Sequence, residues 1–215
     1  MNERLPKWCK YANAVLTLYL ILGIPCLLFY CIINFTLLFG DAEYLSYHKD
    51  IYLDAYGCLF LIVGPLAYLY ISTKQRQKKI NTIINSLKET GRFIPDKNLE
   101  YRMFWQAKYF GIDVRNGTML YIGIWPGKVM DVIGFQAGSI TETATSGSRI
   151  DLHTNFVTLP VISLELVTKY ASTIANTIHA INRKGYSYPV NFPALVQNKK
   201  KEWENMTGLP VPEYF

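Results

Sequence analysis

Two long apolar runs set the pattern from which the rest of this chain is read. The first, Ala12 to Phe39 (ANAVLTLYLILGIPCLLFYCIINFTLLF), contains no charged residue. At ~1.5 Å per helical residue it outreaches the ~30 Å hydrocarbon core of a bilayer. It has no polar stripe wide enough to face water. Gly23 and Pro25 would break an exposed helix, whereas a spanning helix tolerates them because its neighbours re-satisfy the freed carbonyls. The run predicts a spanning helix over 12–39. A cleaved signal peptide is the competing reading, because Arg4, Lys7 and Lys10 make a basic start. Signal peptides, however, have apolar cores of only ~7–15 residues.

The second run, Tyr52 to Ile71 (YLDAYGCLFLIVGPLAYLYI), follows a short polar link, and its single charge, Asp54, lies near its start. Two spanning helices joined so closely must be antiparallel. Gly57, Gly64 and Ala67 give the second helix a small-residue face, a candidate packing surface where no hydrophobic effect drives association. Lys and Arg cluster before the first run and after the second (Lys74, Arg76, Lys78, Lys79), while the link carries only Lys49. The positive-inside rule then puts both termini in the cytoplasm and the link in the periplasm. Trp8 and Tyr11 at one end, and Tyr44, Tyr47, Tyr52 and Tyr56 at the other, fall where aromatic belts form.

Beyond Ile71 the apolar period changes. Ile80, Ile83, Ile84 and Leu87 recur at i, i+3, i+4 and i+7, one face of a helix, and Gly91 is a natural stop. A basic, then amphipathic, stem helix is expected over 72–91, its stripe packing on the domain that follows. Lys74, Arg76, Lys78 and Lys79 are candidate membrane-surface residues, since each cation near an anionic leaflet contributes ~1 kcal/mol. The same charges also serve simply to set topology.

From Leu99 the texture is that of strands. FWQAKYFGIDVR leads through Asn116-Gly117, a strong hairpin signal, into TMLYIGI. Pro126-Gly127 turns into VMDVIGF, GSITETAT alternates, and Ser146-Gly147-Ser148 turns into RIDLHTNF, where Ile150, Leu152 and Thr154 share a face. VTLPVI is a last short strand, with Pro160 restricting it to an edge or a strand end. Ser163 is the expected N-cap of an amphipathic helix carrying Leu166, Val167, Tyr170, Ala171, Ile174, Ile178 and Ile181 on one stripe. The remainder, rich in Pro and aromatics, reads as an arm with one short helix around Ala194 to Met206, and Tyr188, Phe192 or Trp203 is expected to pack on the domain.

The expected fold class is thus membrane-anchored α+β: a two-helix transmembrane hairpin, then an antiparallel sheet domain closed by one C-terminal amphipathic helix. Its parts are a cytoplasmic N-terminus (1–11), a first spanning helix (12–39), a periplasmic link (40–51), a second spanning helix (52–71), the stem (72–91), a cytoplasmic α+β domain (92–185) and the arm (186–215).

Composition adds little chemistry. The excess of 22 Lys+Arg over 16 Asp+Glu lies mostly after Ile71, and, spread along that part, it argues for solubility or an anionic leaflet rather than nucleic acid. Cys9, Cys26, Cys31 and Cys58 all lie in or beside the apolar runs, so no disulfide framework or zinc site can be drawn downstream. Cys9 is open to acylation at a membrane edge, although a small apolar role explains it equally. No two of His48, His153 and His179 stand at metal-ligand spacing. Gly123-Ile-Trp-Pro-Gly127-Lys128-Val129 misses the phosphate-loop spacing by one residue and has Val where Ser or Thr is required. Asp113, Asp131 and Asp151 lie in strand-like segments, a placement that suggests a carboxylate cluster and that solvent-facing alternation explains equally well. No catalytic, metal or cofactor residue is assigned, no small-molecule substrate is indicated, and the sequence argues against an enzyme.

Two resemblances follow from these segments. YFGIDVRNGTMLYI, RIDLHTN with LPVI, and ELVTKYASTIANTIHAI resemble the opening hairpin, late strands and closing helix of a bacterial PH-like domain. That likeness implies binding of a protein or lipid headgroup, and it carries no site residue over. The whole chain, through MNERLPKWCKYANAVLTLYLILGIPC, the hairpin and YFGIDVRNGTMLYI, is similar to the surface (entry) exclusion proteins of IncI-type conjugative plasmids. This resemblance implies a recipient's inner-membrane protein that stops redundant transfer by recognising a membrane component of the donor's transfer apparatus. The alternative is a non-enzymatic, membrane-anchored PH-like module for a lipid headgroup or cytosolic protein. In either case inner-membrane lipids are an expected partner, and the protein-binding residues are unassigned.

Overall fold

A computed structural model describes residues 7–40, 50–126, 129–157, 159–188 and 190–213. The expected periplasmic link, with His48 and Lys49, falls almost wholly outside the described residues, as do Arg4, Gly127 and Lys128. The chain divides into two units, one spanning Leu5–Ser72 and the other built on Thr73–Phe215.

In the first unit, helix α1 (Lys7–Leu18) passes through one wide π turn (Tyr19–Gly23) into α2 (Ile24–Gly40). Pro25 lacks the N–H that a regular helix would offer to the Ile21 carbonyl, beside the stretch where the helix widens. Helix α3 (Asp50–Glu89) begins in this unit and continues into the next. Within the unit the two helical stretches run antiparallel, since Phe35 meets Tyr56 edge-on at 6.2 Å while Tyr19 donates a hydrogen bond to the Leu61 carbonyl. Cys31, Cys58 and Ile62 form the buried contact, flanked by Leu27 and Phe35. Both helices are long and apolar enough to cross a membrane, yet only 6% and 11% of their most apolar stretches are buried. A helix in the core of a soluble protein would be mostly covered; here Leu53, Phe60 and Phe39 are open.

The second unit has three layers. Sheet A runs β1 (Glu100–Met103), β2 (Lys108–Asp113), β3 (Thr118–Ile124), β4 (Met130–Gln136), all antiparallel neighbours. Sheet B runs β5 (Ile140–Ser146), β6 (Arg149–Thr154), β7 (Val161–Glu165). Helix α4 (Thr168–Arg183) follows, then two short helices, α5 (Phe192–Asn198) and α6 (Lys200–Thr207). One core lies between the sheets and α4, joining Phe110, Tyr121 and Phe135 to Ile150, Leu152, Ile162, Leu164, Ile174 and Ile178. A second core covers the other face of sheet A with Ile80, Ile83, Ile84 and Leu87 of α3 and with Phe192, Val196 and Trp203 of the C-terminal helices. The stem stripe therefore packs on its own domain, fully buried. Gly91 follows the helix in left-handed conformation.

Four expectations change. The strands form two antiparallel sheets rather than the single one expected. Every residue of β3 is buried, whereas β5 keeps most of its residues exposed, so the polar strand starts a sheet that faces solvent on one side. Ser163 caps no helix: it sits in β7 opposite Asp151, its hydroxyl accepting from Arg149 at 3.0 Å. The alternating Val-Ile-Ser-Leu-Glu segment is taken up by strand pairing, and the helix starts at Thr168. The arm holds two helices, because Asn191 caps α5 through the Ala194 N–H and Gly208 ends α6. Asp113 and Asp131 are buried rather than solvent-facing. The β1–β2 connection is a tight turn without glycine, closed by the Ala107 N–H on the Phe104 carbonyl, with Ala107 at φ 49°.

Candidate functional site

The β2–β3 turn, the segment after the stem helix and the arm meet at one end of sheet A. Asp113 organises the turn. Its Oδ1 accepts from the Asn116 N–H at 2.9 Å, and its Oδ2 from Asn116 Nδ2 and the Ile94 N–H, each at 2.7 Å. Three N–H donors keep a buried carboxylate stable where an unpaired one would be costly. They also fix the path of residues 92–94 against the turn, and the Thr118 hydroxyl donates to the Arg92 carbonyl at 3.3 Å.

Over this turn lies a pair of arm tyrosines. Tyr186 and Tyr188 stack with ring centroids 6.1 Å apart. The Tyr186 hydroxyl donates to the Val114 carbonyl at 2.7 Å; that of Tyr188 donates to the Gly117 carbonyl and accepts from the Ala137 N–H, both at 3.0 Å. Gly117 holds φ 66°, and a Cβ there would come within 2.7 Å of the Tyr186 ring. Burial pushes both phenols above the usual tyrosine range, the Asp113 charge adding to the effect at Tyr186. Both therefore stay protonated donors at neutral pH.

Between these walls is a cleft of about 120 Å³, lined by the buried Thr118 and Phe192 and by Arg92 and Arg115. Both arginines are exposed. Among the described residues neither has an ion-pair partner, and no carboxylate lines the cleft. Lys184 adds a third cation, its Nζ 5.0 Å from the Tyr186 ring centroid.

The residues singled out from the sequence lie elsewhere. Lys74 and Lys78 are exposed, and Arg76 and Lys79 half-buried, near the start of the second unit's part of α3. Gly57 and Ala67 are exposed and Gly64 half-buried; Cys58 and Ile62 lie in the buried contact between the two apolar helices. Asp131 accepts from Trp125 Nε1 at 2.6 Å. It pairs with Gly123, five residues along β3 from the Thr118 that faces Asp113, so the two aspartates stand at opposite ends of sheet A. His153 is in sheet B, and His179 is exposed on α4, 3.3 Å from the Thr143 hydroxyl. Asp113, Asp131 and His153 do not share a pocket. The phosphate-loop-like stretch joins strand β3 to strand β4, where such a loop needs a helix. The cleft itself was missed because its walls come from three separated segments. The Asp113-x-x-Asn116 spacing, a side-chain-capped turn, was the signal available.

The described residues thus define a protein of two long apolar helices and a two-sheet α+β domain that carries a small basic and aromatic cleft, with no converging metal ligands among them. The chain belongs to the exclusion-determining protein family, whose pattern it matches over residues 7–213. It is thus an entry (surface) exclusion protein, with a role in exclusion during conjugation. No curated protein and no solved structure matches it.

Proposed function

We propose that the chain acts, without catalysis, in the recipient's inner membrane. The two apolar helices span the bilayer as a hairpin, both termini lie in the cytoplasm, and the two-sheet head recognises a membrane component of the donor's transfer apparatus. The observation that carries this reading is the family match over residues 7–213 in a chain whose two apolar helices are almost wholly uncovered. Stable burial of those surfaces requires lipid, at ~25 cal/mol per Å². A binding role is supported by the cleft of donors that the two-sheet domain carries. Lys74, Arg76, Lys78 and Lys79 set the cytoplasmic side and attract the anionic leaflet.

Recipients expressing the chain should take up the cognate plasmid far less often than recipients with an empty vector, while admitting an unrelated plasmid normally. Equal entry of both plasmids would refute the reading.

A further inference from the structure

We infer that the cleft between Arg92, Arg115 and the Tyr186–Tyr188 pair receives one acidic side chain of a protein partner. The inference rests on the proposed function and specifies the chemistry of recognition within it.

Size comes first. At about 120 Å³ the cleft is well below the ~300–1,000 Å³ of sites that enclose metabolites or cofactors. It accommodates a single side chain, the scale of an anchor at a protein interface.

Charge comes second. Both charged groups that line it are guanidiniums, and neither has an ion-pair partner among the described residues. Asp113, behind the wall, offsets part of this field. Its oxygens are already occupied by three N–H donors, so it does not neutralise either arginine directly. Lys184 restores the positive balance. A guanidinium presents a planar fork that matches a carboxylate in bidentate fashion, so two of them favour Asp or Glu over a neutral side chain.

Rigidity comes third. Both tyrosine hydroxyls are held by backbone groups of the turns they cover, and Asp113 locks the turn that carries Arg115. The walls are thus fixed before a partner arrives, which lowers the entropy cost of binding. The stacked rings offer a flat apolar surface to the residues flanking the acid.

The test uses the full-length chain in recipients. In matings with the cognate plasmid, Arg92→Glu with Arg115→Glu should reduce exclusion at least ~10-fold, because like charges across an interface cost several kcal/mol. The double variant Lys169→Glu with Lys201→Glu makes the same charge change at exposed positions away from the cleft and should exclude normally. Arg92→Lys with Arg115→Lys keeps the charge and loses the fork, and should fall between. Membrane-fraction levels identify any variant that fails to fold; in that event the Lys pair decides. Donor plasmids selected for entry into wild-type recipients should carry a neutral or basic replacement of an Asp or Glu in one transfer protein. Wild-type exclusion by the Arg→Glu pair, or an equal loss in the Lys169/Lys201 control, would overturn the inference and leave the proposed function standing. Absence of exclusion by the wild-type chain would remove both.

Discussion

The Trp203 indole donates a hydrogen bond to the Ser86 hydroxyl at 3.3 Å, tying the last helix to the stem across 117 residues. Lys199 reaches the same hydroxyl at 3.3 Å. Trp203 is fully buried in the core on the outer face of sheet A. Trp203→Ala should therefore cost about 3–5 kcal/mol, the range for removing a buried aromatic. Thermal unfolding of the purified full-length chain checks this, with Trp203→Phe expected to lose less. A melting temperature unchanged by the alanine would show that the arm does not hold the domain together.

Gly134 lies under α5, where a Cβ would come within 2.7 Å of Val196 and 3.0 Å of Phe192. Gly134→Ala should push that helix off the sheet, costing about 1–3 kcal/mol by overpacking. Limited proteolysis should then cut within residues 190–213 faster than in wild type. A cleavage pattern identical to wild type would count against the docking of the arm.

The four cations at positions 74, 76, 78 and 79 set the expected orientation. A phosphatase reporter fused after Phe215 should be inactive in wild type, since such a reporter works only in the periplasm. Replacing all four by Ser should weaken the bias and raise reporter activity. High activity in the wild-type fusion would reverse the topology.

Asp151 supplies a pH-dependent term. The Ser163 hydrogen bond first, then Arg149 at 2.9 Å, hold its carboxyl below the usual aspartate range against a smaller effect of burial. A lowered native value contributes stability above the unfolded aspartate range and loses it as pH falls through the native one. The group is largely solvent-screened, so the contribution is under about 1 kcal/mol. Asp151→Asn should melt slightly lower than wild type at neutral pH, with the gap closing as the pH falls below the usual aspartate range. A gap that persists in acid would assign the effect to packing.

Parts of this architecture were legible because they repeat. Ile80, Ile83, Ile84 and Leu87 announce a buried helical face by spacing alone, and all four are buried. Ile150 and Leu152 announce a strand face in the same way. Sheet A was harder. TMLYIGI is apolar almost throughout because both its faces are covered, so alternation, the usual marker of an antiparallel strand, is absent. Ser163 misled because Ser before an apolar run is a frequent helix start, while here strand pairing with β6 won. The cleft was illegible for a topological reason: Arg92, Arg115 and Tyr186 share no local pattern, and only the return of the arm over the Asn116–Gly117 turn brings them together. Asp113 looked like an outward polar residue because a sequence shows a carboxylate without the three N–H groups that bury it.

Leu209 and Val211 belong to the core that closes the outer face of sheet A, which gives synthesis a fixed order of events. The apolar helices leave the ribosome before the two-sheet domain, and that domain cannot be completed until residues 209–211 have been made. A message cut short by even a few codons before residue 209 would yield a product bearing both apolar helices and an uncovered sheet, exposed to quality-control proteases. Exclusion would then be exerted only by chains that carry residues 209–211.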